Sequence, residues 1–272
     1  RGPVMTTPML ELRGVSRHFG SLKAVEDVSF SVAPGSRHAV IGPNGAGKST
    51  LFALIAGTHA ATAGSVLLNG NDVTGVAEHQ RVGRGLARTF QHSSLFLTAT
   101  VAENIMLAAQ RRAGRTSWSM CRPAAKRTNL LEDGRQLLDR VGLADRSSDR
   151  AGALSHGERR QLEVAVALAC RPQLLLLDEP AAGMSASETA RLMSLIKDLP
   201  SEVTVMIVEH DLDLVFGVAD TMTVLHLGQH LVSGSPAEVR ASPEVQSAYL
   251  GAENTSELFP DDPSPSVPEA QS

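Results

Sequence analysis

Short apolar runs alternate along the chain with amphipathic stretches of helical period, which is the pattern of an α/β fold around a largely parallel sheet. Arg37-His38-Ala39-Val40-Ile41 is a short apolar run that ends at Gly42. Leu174-Leu175-Leu176-Leu177 and residues 203–208 are two more. Neither of these alternates with polar residues, so both predict strands buried on both faces. Residues 10–32 do alternate apolar with polar and carry no helical period; they predict an antiparallel β section, followed by a turn at Pro34-Gly35.

Helix starts are marked by a hydroxyl followed three residues later by Glu, the capping box. Thr100 with Glu103 opens a helix through Ile105, Leu107 and Ala108. Ser185 with Glu188 opens one carrying Leu192, Leu195 and Ile196. Ser235 with Glu238 opens another, with Pro236 at the first helical position. Nothing repeats at a fixed period. Residues 110–127 are basic (Arg111, Arg112, Arg115, Arg122, Lys126, Arg127) and read as a surface insertion. The tail, residues 252–272, sets Pro260, Pro263, Pro265 and Pro268 among Ser, Asp and Glu, and predicts disorder. Residues 1–8 read as an N-terminal extension, in which Arg1 to Val4, ahead of Met5, have the look of an expression-tag remnant.

The 272 residues suffice for one large domain or two small ones that bury a core without disulfide or metal staples. With 42% apolar and 20% charged residues, the chain has the composition of a soluble globular protein. A formal net charge of −4 argues against a dedicated nucleic-acid binder, and 3% aromatics argue against a stacking platform for single strands. Cys121 and Cys170 make neither a disulfide framework nor a four-ligand zinc site. No apolar run reaches the roughly 18–20 residues that span a bilayer. The longest candidate, residues 162–177, is broken by Glu163, Arg171, Pro172 and Gln173. The start of the chain shows no secretory signal pattern. These features predict a cytoplasmic chain that reaches a membrane only through a partner.

The sharpest chemical signal is Gly42-Pro43-Asn44-Gly45-Ala46-Gly47-Lys48-Ser49-Thr50, which fits the phosphate-loop pattern G-x-x-x-x-G-K-[ST]. It follows a predicted strand and precedes a predicted helix, residues 51–56, with Gly57 as its C-cap. Glycines let the backbone wrap closely, so that N–H groups face phosphate oxygens at a helix N-terminus. Lys48 would reach the β- and γ-phosphates and Ser49 would ligate Mg²⁺. Asp178, at the end of a buried strand, suits the Mg²⁺ site, and the adjacent Glu179 suits a general base that polarises water. Ser155-His156-Gly157-Glu158 combines a capping box with a glycine and an exposed hydroxyl at a helix start, which is also an anion site. Gln91 follows Ala87-Arg88-Thr89-Phe90 at the end of a short strand, and His210 follows the strand at 203–208, where ligands bind in open α/β sheets.

Taken in order, phosphate loop, Gln91, residues 154–161, Asp178-Glu179 and His210, the set resembles the nucleotide-binding subunit of ATP-binding-cassette transporters from about residue 10 to 251. The resemblance implies a phosphate-loop ATPase domain at 9–251, with a helical subdomain at about 92–170 that carries the signature segment. It implies that Phe19 stacks on adenine, that Ser49, Gln91 and Asp178 serve Mg²⁺, and that Lys48, Glu179 and His210 act in ATP hydrolysis. It further implies a head-to-tail dimer in which Ser155 and Gly157 meet the γ-phosphate of ATP held by the partner subunit. Residues 85–91, Leu95-Phe96, Thr100-Val101-Ala102-Glu103-Asn104, the insertion, and Ala248-Tyr249-Leu250-Gly251 are similar to the larger ATPase subunit of branched-chain amino acid importers. Such an importer has two membrane permeases, two ATPases and an extracytoplasmic solute-binding protein, with the ATPases held at the cytoplasmic face of the membrane through the permeases. Urea and short-amide importers share the pattern, and a soluble ABC ATPase outside transport, a nucleotide-binding interaction module and a phosphate-loop kinase are the other readings. Two departures stand out. His156 and Glu158 occupy positions where many members carry Gly and Gln, and Ser185 stands where the loop after Glu179 usually has an acidic residue or Asn.

Overall fold

The structure, a computed structural model, describes residues 7–89, 95–112 and 124–249. The alternating N-terminal segment forms β1 (Leu10–Phe19) and β2 (Leu22–Val32), joined as an antiparallel hairpin. The next elements are β3 (Arg37–Ile41), α1 (Lys48–Ala56), β4 (Ala63–Leu68), β5 (Asn71–Asp72), α2 (Glu78–Val82) and β6 (Leu86–Arg88). Three helices follow, α3 (Val101–Arg112), α4 (Ala124–Arg140) and α5 (His156–Ala169). The chain then alternates through β7 (Leu174–Asp178), α6 (Ala186–Lys197), β8 (Thr204–Val208) and α7 (Leu212–Val218). It closes with β9 (Thr221–His226), β10 (Gln229–Gly234), α8 (Pro236–Ala241) and α9 (Pro243–Tyr249).

Two sheets result. The antiparallel one runs β2-β1-β4-β5, and the second runs β10-β9-β3-β8-β7-β6, parallel except for the β10 edge. Both faces of the second sheet are covered, which is why its strands read as unbroken apolar runs. Leu174 and Leu176 of β7 join Met206 and Val208 of β8 in a core with α1 (Leu51, Phe52, Leu54, Ile55) and the antiparallel sheet. Leu175 and Leu177 point the other way, with Val205 and Ile207, onto Leu162 and Ala165 of α5 and Leu192 and Ile196 of α6. The period of two thus divides one strand between two cores. A truncation such as Leu176→Ala costs about 2–5 kcal/mol here, because the transfer energy and the cavity left behind add.

Helix α1 is fixed at its C-terminal end by Arg81 of α2. The Arg81 guanidinium is buried and donates to the carbonyls of Leu54 (2.8 Å) and Ile55 (2.7 Å), groups that a helix end otherwise leaves unpaired. All the capping boxes predicted from sequence form, at Thr100/Glu103, Ser155/Glu158, Ser185/Glu188 and Ser235/Glu238. The flanks of the basic stretch 110–127 are helical. α3 runs on through Arg112 and α4 begins at Ala124, where Ala124 and Ala125 are strong helix formers. Residues 113–123 and the tail from 250 onward lie outside the described residues, as do residues 1–6. Among the described residues no helix is long and apolar enough to cross a membrane.

Candidate active site

Strands β3, β8, β7 and β6 are adjacent and parallel, so their C-terminal ends open onto one edge of the sheet, where ligands bind in open α/β folds. The loop 42–47 leaves β3, Asp178 ends β7 with Glu179 next, Glu209-His210 follow β8, and Thr89 follows β6.

The loop after β3 curls onto the start of α1. Gly47 caps the helix at φ 98°, a left-handed conformation that favours glycine, and a β-carbon there would sit 2.5 Å from the Ala24 carbonyl oxygen. Helix α1 begins at Lys48, three residues ahead of the apolar run that announced it. Lys48 is buried and folds back over the loop, its Nζ donating to the carbonyls of Gly42 (2.6 Å) and Pro43 (3.1 Å). Burial lowers the pKa of its ammonium, and the nearby charges of Glu179 and Asp178 oppose that shift. Asn44, Gly45 and Ser49 are exposed, Thr50 is half-buried and Ala46 is buried.

Asp178 is buried. Its Oδ2 accepts from Arg88 Nη2 at 3.0 Å, and its Oδ1 has no hydrogen-bond partner among the described residues. An orphaned buried carboxylate oxygen at the sheet edge that also carries the exposed Ser49 hydroxyl offers the hard oxygens that suit Mg²⁺. Glu179 follows in a left-handed conformation (φ 46°), sparsely populated for a residue with a side chain and held here by its N–H bonding to the Val208 carbonyl at 2.8 Å. That turn lifts Glu179 to the half-exposed surface, where its Oε1 lies 4.0 Å from His210 Nδ1.

Under His210 lies Glu209, which the sequence pattern did not single out. Its carboxylate is buried, accepting from the N–H of Ala181 (2.9 Å) and of His210 (3.2 Å), with Oε2 3.6 Å from His210 Nδ1. Burial raises its pKa, and the Ala181 amide and the neighbouring histidine pull against that rise. A charged residue directly after a five-residue apolar strand was the available signal. Tyr249 of α9 was also missed as a site contact. It is buried among Ile41, Val224 and Leu212, its hydroxyl is hydrogen-bonded to the backbone of Gly42, and burial pushes its pKa up.

Phe19 ends β1 with an exposed ring. It makes a T-shaped contact with His59 (centroids 5.7 Å apart, 78° between planes), and the Arg17 guanidinium lies 4.5 Å from its centroid. Ser155 caps α5 and Gly157 is buried in the first turn of that helix. Among the described residues no hydrogen bond joins either of them to the phosphate loop. Gln91 lies outside the described residues.

The sheet edge and the loop upon it define a phosphate-loop ATPase. The ABC transporter family matches residues 25–182, and the branched-chain amino acid ATP-binding cassette transporter family matches residues 229–254. The high-affinity branched-chain amino acid transport ATP-binding protein LivG of Escherichia coli is 37% identical over 253 residues, covering 91% of this chain and 99% of the relative. Its counterpart BraF of Pseudomonas aeruginosa is 38% identical over the same shares. Among solved structures, the ADP conformation of MJ1267, an ATP-binding cassette of an ABC transporter, superposes with a TM-score of 0.78 at 28% identity, covering 90% of this chain and 100% of that one. The chain belongs to the ABC transporter family as an ATP-binding, ATP-hydrolysing subunit.

Proposed function

We propose that this subunit powers a membrane importer for branched-chain amino acids, working as one half of a head-to-tail ATPase dimer. The observation that carries the enzymatic part is the gathering of buried Lys48 and Asp178 with the more exposed Glu179 and His210 at the open edge of adjacent parallel strands. The importer part is supported by the match of residues 229–254 and by the likeness to LivG and BraF over nearly the whole chain.

In this reading Phe19 stacks on adenine. The backbone of 42–47, with Lys48, Ser49 and Thr50, cradles the phosphates. Ser49, Asp178 and Gln91 would hold Mg²⁺, which when bound would supply positive charge against that developing on the phosphates. Ser155 and Gly157 serve the γ-phosphate in the partner's site, so a lone subunit binds nucleotide but turns over poorly. Glu179 takes a proton from water as the water oxygen attacks the γ-phosphorus. The bond to the β–γ bridging oxygen then breaks, giving ADP and phosphate. His210, 4.0 Å from Glu179 and braced from below by Glu209, orients this group.

The partners are two permease subunits, a second ATPase subunit and an extracytoplasmic solute-binding protein, with this chain peripheral at the cytoplasmic face. The helices of about 92–170 form the signature-bearing subdomain. Purification from native membranes in mild detergent, followed by mass spectrometry, tests this reading. Two permeases and a shorter ATPase are expected to come with the chain. Reconstituted with the copurifying binding protein, the complex should raise its ATPase rate with leucine. Stimulation by urea or a short amide alone would overturn the substrate assignment, and recovery free of any membrane protein would overturn the importer.

A further inference from the structure

We infer that Arg88 is a positioning residue for the metal-binding carboxylate; this rests on the reading of Asp178 as the Mg²⁺ ligand. Arg88 is the last residue of β6, which pairs in parallel with β7, Arg88 lying opposite Leu176. From there its side chain reaches along β7 to Asp178, the last residue of that strand. Nη2 donates to Asp178 Oδ2 at 3.0 Å, and Nη1 lies 3.4 Å from the Thr58 hydroxyl, in the turn that ends α1. The Asp178 side chain is 1% exposed and that of Arg88 is 13% exposed, so the pair is withdrawn from water and little screened.

The division of labour between the two carboxylate oxygens carries the argument. One is anchored by a charge-assisted bond and the other has no partner among the described residues. A carboxylate held by one oxygen cannot rotate about its Cβ–Cγ bond without breaking that bond, so the second oxygen is presented in one orientation. Partners behind a metal ligand act in this way, and their loss weakens metal binding about 10- to 100-fold. The guanidinium is anchored in turn by β6 and by the Thr58 contact, so the fork is fixed at both ends. A lysine keeps the charge but loses the planar fork. Removal of Arg88 also leaves a buried carboxylate without its counter-charge, which destabilises the empty protein. A merely structural ion pair would stop there.

The two roles separate in a binding assay on the full chain, with a fluorescent ATP analogue titrated in EDTA and then at rising Mg²⁺. Arg88→Met is expected to leave affinity in EDTA within about twofold and to raise the half-saturating Mg²⁺ about tenfold, with Arg88→Lys between it and wild type. An unchanged Mg²⁺ dependence would overturn the inference. So would an equal loss of affinity with and without Mg²⁺, or a gain in Mg²⁺ affinity, which would make Arg88 a competitor for the carboxylate. If Arg88→Met does not fold, Arg88→Lys decides alone, by a shift of about threefold or none. Asp178→Asn in the same assay separates the two levels. If it leaves Mg²⁺ dependence intact, the ligand assignment fails; if it shifts Mg²⁺ dependence while the Arg88 variants do not, only the inference about Arg88 fails.

Discussion

The carboxylate of Glu188, in the first turn of α6, lies against Gly157, in the first turn of α5, so closely that a β-carbon at 157 would overlap it. Glu188 is held there by the N–H (2.9 Å) and hydroxyl (2.7 Å) of Ser185, which keep its pKa below the usual carboxylate range. Arg191 adds to that shift, and His156 packs over Gly183. The signature segment and the loop after Glu179 therefore meet within one subunit, through the two stretches where this chain departs from the common family pattern.

Gly157→Ala should consequently do two separable things. It should displace Glu188 and weaken the Ser185 capping box, lowering stability by about 1 kcal/mol. It should also cut ATPase activity about 10²-fold by crowding the partner's γ-phosphate, while nucleotide binding to the lone subunit persists. Adding Glu188→Ala removes the clash but also the N3 half of the capping box, so it should restore neither the full melting temperature nor the turnover. Recovered turnover in the double variant would mean that the clash within the subunit, and not contact with ATP, is what requires glycine.

Glu179→Gln keeps the shape of the side chain and its left-handed backbone but removes the proton acceptor. Turnover should fall by about 10²–10⁴-fold, the range of general base catalysis, with ATP affinity retained. In size-exclusion chromatography with Mg-ATP the variant should run as a stable dimer, since hydrolysis no longer separates the halves. Wild-type turnover in this variant would remove Glu179 from the role of base.

Lys48 spends its charge on two carbonyls of its own loop, Gly42 and Pro43. Phosphate oxygens are stronger partners for an ammonium than amide carbonyls, so nucleotide binding should draw Nζ off the loop. Lys48→Ala should lose about 10- to 100-fold in ATP affinity, the worth of a charged hydrogen bond. Equilibrium titration with a fluorescent nucleotide measures it, and an unchanged affinity would refute the assignment.

Features that depend on neighbours in sequence were legible. The strands β7 and β8 showed as unbroken apolar runs because both faces are covered, and every predicted capping box formed because its two partners stand three residues apart. The phosphate loop was legible because its pattern and its strand-helix context agree. What was not legible is pairwise and distant. Arg88 meets Asp178 from 90 positions away, and Arg81 caps α1 at Leu54 from 27. Tyr249 reaches Gly42 from the last described helix. The left-handed turn at Glu179 also carries no glycine to announce it. Of the basic stretch 110–127, read as a surface insertion, only the helical flanks, the end of α3 and the start of α4, lie among the described residues.

Strand β3 contains a histidine that the apolar reading of 37–41 absorbed without comment. His38 is buried between sheet layers, stacked on Phe30 with centroids 5.3 Å apart. Its ring nitrogens meet the hydroxyls of Thr221 (2.8 Å) and Thr223 (3.0 Å), and Thr223 in turn contacts Ser233 at 2.6 Å. No carboxylate is among these partners, and burial depresses its pKa from 6.5 to about 4. The native state therefore refuses a proton that the unfolded chain accepts. Its stability is full above pH 6.5 and is lost as pH falls from there to about 4, at up to about 1.4 kcal/mol per pH unit and about 3 kcal/mol in all. Glu209, whose raised pKa acts with the opposite sign, offsets part of this in the wild type, so the difference between proteins is the quantity to read. Denaturant unfolding of wild type and His38→Gln at intervals between pH 7.5 and 4.5 should show the variant losing less stability on acidification, by the uptake of about one proton. Parallel curves would mean that His38 titrates normally inside the fold.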